Sequence, residues 1–156
     1  MKALVVYDSF FGNTEQVARS IGSQFASAES VEVVRVADVK PEQLEGVQVF
    51  IVGSPTRAFR PSDATRAFLK NLPAGSLKGV KVAAFDTRIN VEDTNSSFLR
   101  FMVRLFGYAA QPMANLLKKK GGELVLAPEG FYVKGTEGPL KDGELERAQA
   151  WVKPIL

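Results

Sequence analysis

The chain contains no cysteine and no histidine. Without cysteine there can be no disulfide, no thiol nucleophile and no thiolate-bound metal or cluster. Without histidine the commonest general base and metal ligand is also missing. Chemistry must therefore run on carboxylates or be supplied by a bound cofactor. No apolar run approaches membrane-spanning length, and the run that follows Met1-Lys2 stops at Tyr7-Asp8, well short of the apolar region of a secretory signal. There is no Gly-Lys-Ser/Thr ending of a Walker A loop and no set of three spaced glycines of a dinucleotide fold. The net charge of +3 is mild and forms no concentrated basic stripe, so nucleic acid is not an expected partner.

What remains is an ordinary globular composition. The chain has 156 residues, 46% of them hydrophobic and 24% charged, enough for one domain spanning 1–156 with a full core. Its most telling stretch comes first. Ala3-Leu4-Val5-Val6-Tyr7 is a short β-branched apolar run, as expected of a buried parallel strand. It breaks into Asp8-Ser9-Phe10-Phe11-Gly12-Asn13-Thr14-Glu15, and then Val17, Ile21, Phe25 and Ala28 recur at helical spacing. Such a turn delivers the N-terminus of a helix, whose free N–H groups and positive dipole end suit a phosphate. Ser9 and Thr14 add hydroxyl donors, Gly12 permits close backbone approach, and Asn13, with Gln16 three residues on, reads as an N-cap.

Further strands are expected at Val31–Val36, Val47–Gly53, Val80–Phe85 and Glu123–Ala127, the second of the five near an edge. Between them lie a short helix at Lys40–Leu44, a helix from about Pro61, a long helical region closed by Gly122, and a last helix from about Asp142. The loops Ser54–Arg60 and Asp86–Asn90 follow the third and fourth strands. Alternation of strands and helices predicts an α/β fold: a three-layer, doubly wound sandwich with a five-stranded parallel sheet of order 2-1-3-4-5. In that order a ligand sits beyond the carboxyl ends of the strands, where residues 8–14, 54–60 and 86–90 meet.

The pattern Ser9-Phe10-Phe11-Gly12-Asn13-Thr14 directly after the first strand resembles the phosphate loop of the flavodoxin family, and the likeness extends along the whole chain. The resemblance implies one bound FMN per chain and electron transfer. It implies phosphate contacts from Ser9, Phe10, Phe11, Gly12, Asn13 and Thr14. It implies flavin contacts from Pro55, Thr56, Arg57, Ala58 and Phe59 in one loop and from Asp86, Thr87 and Arg88 in another. Three features depart from the family's electron carriers. Phe59 is the only aromatic in the two flavin loops, Ala58 stands where a glycine is common, and the chain is basic where the carriers are acidic.

The stretch Ser97–Tyr108 carries apolar side chains over roughly 220° of a helix, with Arg100 and Arg104 sharing the polar side. One stripe against a sheet does not need so wide an arc. A cover besides the sheet is expected for residues 98–109: a lid over the flavin, a partner surface or a homodimer face. The alternative is that the following helix, Pro112–Lys120, packs on the second face of this arc. The sequence points to a cytoplasmic FMN-binding electron-transfer protein serving a redox partner protein or a small electron acceptor. An FMN-dependent NAD(P)H reductase of a quinone or similar small acceptor, and an interaction module that has lost FMN, are the alternatives.

Overall fold

The computed structural model describes residues 1–26, 30–93 and 96–156, with Glu92 described in its backbone alone. The five-residue strand β1 (Ala3–Tyr7) is buried throughout because helices cover both of its faces. It lies between β2 (Val31–Arg35) and β3 (Val49–Pro55), and β3 pairs in turn with β4 (Lys81–Ile89), every ladder being parallel. The sheet order is 2-1-3-4-5, as the alternation of elements predicts.

The fifth position differs from expectation in being filled by two pieces. β5 is only Glu123–Leu124, and β6 (Glu129–Val133) resumes pairing with β4 further along. From Leu124 to Glu129 the chain uses two more residues than β4 does from Val82 to Phe85, so the intervening residues bulge out of the ladder. Pro128 has no N–H to donate, which suits it to that break. The indole of Trp151 donates to the Ala127 carbonyl across it, and its ring meets Phe85 and Phe131 edge-on at about 6 Å. Asp86–Ile89, expected as a loop, is the end of β4, because β3 pairs with its first half and β6 runs beside β4 from Phe85 to Ile89.

Two apolar clusters fill the space above and below the sheet. On one face Leu4, Val6, Phe50, Val52, Val82 and Ala84 pack under α2 (Asp63–Asn71) and α4 (Ala110–Lys119). On the other, Val5, Tyr7, Ile51, Ala83, Phe85 and Phe131 pack under α1 (Asn13–Gly22) and α5 (Glu144–Val152). Val17, Ala18 and Ile21 form the buried stripe of α1; Ala28, expected to continue it, lies outside the described residues. The hydroxyl of Ser62 caps α2, accepting from the Thr65 N–H.

α3 (Ser97–Phe106) has no buried residue, and Phe98, Phe101, Leu105 and Phe106 are among the most exposed large apolar side chains. Sheet coverage belongs to α4, through Ala110, Met113, Ala114 and Leu117. The apolar side chains of α3 itself are thus not spent on the sheet, whereas Ala109, just beyond it, is buried in the cluster under α4.

Candidate functional site

The carboxyl ends of β1, β3 and β4 converge on a cleft of about 300 Å³, lined by Ser9, Phe10, Phe11, Asn13, Thr14, Pro55, Thr56, Arg57, Ala58, Thr87 and Arg88. All of these were expected site residues. Gly12, Phe59 and Asp86 were expected too but do not line it. Ile89, Val133 and Thr136 complete the wall.

The 9–14 loop is built from its own hydrogen bonds. Ser9 N–H donates to the Asp8 carboxylate, Gly12 N–H donates to Ser9 Oγ at 3.0 Å, and Arg35 donates to the Ser9 carbonyl at 2.8 Å. Gly12, not Asn13, is the N-cap of α1; its φ of 90° is the reason glycine stands there, since nothing lies within 4 Å of a Cβ at that position. Asn13 is the first helical residue, and its side-chain amide donates instead to the Glu137 carbonyl, tying α1 to the 134–139 loop. This corrects the expected cap. Gly138 is needed for the same contact, because a Cβ there would collide with the Asn13 amide.

The first-turn N–H groups of α1 have no intrahelical acceptor and point out of the loop. No lysine or arginine occurs between residues 8 and 14. Positive potential comes from the helix terminus, while Arg35 behind the loop offsets the neighbouring carboxylates. The nearby carboxylates are already engaged: Asp8 and Glu15 lie 3.7 and 3.5 Å from Arg35, and Glu15 also meets Arg19 at 2.9 Å. A phosphate would therefore meet donors and no free carboxylate. Thr14 Oγ1 and Thr87 Oγ1 are 2.8 Å apart, which couples the helix start to the end of β4.

At the other end of the cleft, residues 57–60 form a tight two-residue turn. Arg57 N–H donates to the Arg60 carbonyl at 2.8 Å, and Arg60 N–H donates back at 3.1 Å. Its central residues, Ala58 and Phe59, have φ of 48° and 68°, a conformation that normally selects glycine or asparagine. Phe59 turns away from the cleft to meet Phe106 of α3, with centroids 5.9 Å apart. Arg57 lies over the Phe10 ring at 4.9 Å. The Thr56 hydroxyl accepts from the Ala109 N–H at 3.2 Å, so this loop is also tied to the approach to α4.

Asp86 and Arg88 share one face of β4. Asp86 is fully buried and accepts two hydrogen bonds of 2.7 Å from Arg88 and one of 2.9 Å from the Ala110 N–H at the start of α4. Burial pushes its carboxyl above the ordinary value, against the lowering by Arg88 and the Ala110 amide. Arg88 lies 3.7 Å from the centroid of the Tyr108 ring. Burial likewise raises the Tyr108 hydroxyl, outweighing the guanidinium beside it. Asp86 is therefore a support for Arg88, and Tyr108 joins the site without having been expected. Beside the cleft lies a second hollow of about 240 Å³, sharing Thr56, Ala58, Arg88 and Ile89 with it and walled by Phe59, Val91, Leu99, Val103 and Tyr108.

Among the described residues no cluster of carboxylates could hold a metal ion, and no helix is long and apolar enough to cross a membrane. A doubly wound sheet with a hydroxyl-rich helix terminus at its switch point defines a class of phosphate-binding α/β proteins. The comparisons narrow the class. The flavodoxin family model matches residues 5–151, and the chain belongs to the flavodoxin family, whose members bind FMN and carry electrons with it. No curated protein matches the sequence. A flavodoxin from the domain Archaea superposes with a TM-score of 0.77 at 25% identity, over 99% of this chain and 96% of that one. Flavodoxin 2 from Bacillus cereus gives 0.74 at 23%, over 98% and 96%. The rubredoxin oxygen:oxidoreductase of Desulfovibrio gigas gives 0.73 at 18%, over 99% of this chain and 35% of that one. The last two likenesses speak to the fold alone.

Proposed function

We propose that residues 1–156 form a single flavodoxin-like domain that holds one FMN in this cleft and works as a cytoplasmic electron-transfer protein, passing electrons to a redox partner protein or a small acceptor. The observation that carries this reading is the 9–14 cradle: an unencumbered helix N-terminus with Ser9 and Thr14 hydroxyls, backed by Arg35 and joined through Thr87 to the floor of the same cleft. Its donors suit the phosphate of FMN, and its carboxylates are paired elsewhere. The bound flavin would supply the redox chemistry. The protein residues hold the phosphate, present Thr56, Ala58 and Arg88 to the rest of the cofactor, and screen it with Phe10 and Phe11. The single phosphate site favours FMN over FAD.

The hollow beside the cleft favours a second reading, an FMN-dependent NAD(P)H reductase of a quinone or similar small acceptor. Its apolar wall of Phe59, Leu99, Val103 and Tyr108 offers room for a substrate next to the cofactor. Anaerobic reductive titration of the FMN-loaded protein separates the readings. Reduction in two resolved one-electron steps supports the carrier; a single two-electron step supports the reductase. A colourless protein that fails to take up added FMN would identify an interaction module and refute both.

A further inference from the structure

The rim of the cleft is made of three segments, 9–14, 55–62 and 96–106. Together they carry six phenylalanines and four arginines, and none of the chain's 17 acidic residues. The rim is continuous: Arg57 lies over Phe10, and Phe59 bridges to Phe106 on α3.

At its centre α3 presents two faces. Leu99 and Val103 turn toward the hollow beside the cleft. Phe98, Phe101 and Leu105, spaced i, i+3 and i+7, turn outward and are 71%, 54% and 60% exposed, with Arg104 exposed beside them. Three large apolar side chains on a ten-residue helix form a patch that water alone does not suit.

Charge selects what covers it. In a symmetric pair of chains the same patch meets itself, so Arg57, Arg60 and Arg104 would face their own copies with no carboxylate in any of the three segments to separate them. Phenylalanine and leucine flanked by arginine on a solvent-facing helix fit the boundary between lipid headgroups and acyl chains. There the apolar side chains enter the acyl region and guanidinium groups meet anionic headgroups. We propose that the rim of the cleft, with α3 at its centre, docks on an anionic lipid surface. The cleft mouth then faces that surface, so an acceptor dissolved in the lipid is delivered beside Arg88 and Ala58; this last clause rests on the cofactor reading above, whereas the docking does not.

Flotation of the FMN-loaded protein with vesicles of phosphatidylcholine, with and without phosphatidylglycerol, tests it. The expected result is binding to the anionic vesicles only, released by high salt. The double variant Phe98→Ser/Phe101→Ser should lose roughly tenfold or more in vesicle affinity while keeping its circular dichroism and its FMN. Arg104→Glu should lose several-fold, and Lys118→Glu, on the last turn of α4, should bind like the parent. Equal binding to neutral vesicles, equal losses in Arg104→Glu and Lys118→Glu, or an unaffected double variant would overturn the proposal. So would the absence of vesicle binding, including the case in which ultracentrifugation finds a dimer that the double variant dissociates. Failure to bind FMN with vesicle binding intact would refute the cofactor reading and leave the docking standing.

Discussion

Arg88 lies where a side chain at position 130 would stand: a Cβ built on Gly130 would fall within the guanidinium. The arginine needs that space to reach Asp86 with two donors at once while Tyr108 covers its other side. Gly130→Ala should therefore push Arg88 off its carboxylate and cost about 1–3 kcal/mol, the usual range for overpacking a filled site. Urea denaturation measures it, and a change within error would show that the guanidinium can move aside freely.

Arg88→Gln should cost more, about 3–5 kcal/mol at neutral pH, because it leaves a buried carboxylate without its cation. The sign of the pH dependence follows from burial. Asp86 already titrates above its ordinary value of 3.8, and losing Arg88 raises it further. A carboxyl whose folded pKa is raised favours folding when protonated, so stability is full below the unfolded value and falls as pH rises toward the folded one. The deficit of Arg88→Gln relative to the parent should thus shrink on acidification toward about pH 4. A deficit independent of pH would mean that Asp86 finds another cation.

The same pair sets what Arg88 can do to a flavin. A lone arginine at about 6 Å, with an effective dielectric near 20, would favour an anionic reduced ring by roughly 2–3 kcal/mol, on the order of 100 mV for one electron. Pairing with Asp86 cancels most of that charge, so tens of millivolts remain. Arg88→Gln should lower the reduction potential of bound FMN and Asp86→Asn should raise it. Shifts of the same sign in both variants would exclude an electrostatic role.

Binding of FMN should depend on the cradle in two distinguishable ways. Thr14→Ala removes one hydroxyl donor to a charged group, worth about 1.5–3 kcal/mol, or roughly a tenfold or greater rise in the dissociation constant. Gly12→Val instead forces a β-branched residue to a φ of 90° and should loosen both the loop and the cofactor. Fluorescence titration with FMN reports both. Parent-like affinity in the two variants would place the phosphate elsewhere.

Ala58→Gly is expected to stabilise the protein modestly. A left-handed alanine costs about 1–2 kcal/mol, and the extra freedom of an unfolded glycine returns about 0.4–1 kcal/mol of that. A net gain of about 0.5–1 kcal/mol in thermal or chemical denaturation is the outcome that checks it. Ala58 stands where a glycine is common in the family, and the paired hydrogen bonds of Arg57 and Arg60 hold it at positive φ.

The parallel strands were legible because strands buried on both faces leave uninterrupted apolar runs, as in Ala3–Tyr7 and Val49–Val52. The cradle was legible because strand, hydroxyl-rich turn and helix period adjoin in sequence. What escaped depended on partners distant in the chain. Asp86–Ile89 looks like a loop by composition and is extended because β6 runs alongside, and β6 itself is disguised by Pro128, Glu129 and Gly130. Asn13 has the chemistry of a cap and was drawn off by Glu137, more than a hundred residues away. Phe59 sits in the expected loop, but the side-chain direction set by its positive φ takes it to Phe106. The width of the apolar arc pointed to a cover besides the sheet, whereas α3 buries no residue and α4 takes the sheet in its place.

One consequence of the last residues of β4 concerns insertions and deletions. Thr87 and Arg88 are neighbours, yet alternation along the strand sends one to the start of α1 and the other to the aromatic wall beside α4. Both halves of the cleft therefore inherit a single register. Removing or adding one residue between Phe85 and Thr87 would send each side chain to the opposite face of the sheet, taking the guanidinium to the α1 side and the threonine hydroxyl to the α4 side. Surface connections usually absorb such changes in length, but here the end of β4 behaves as a ruler. Variation in this protein should be found in the side chains it carries, with its length held fixed.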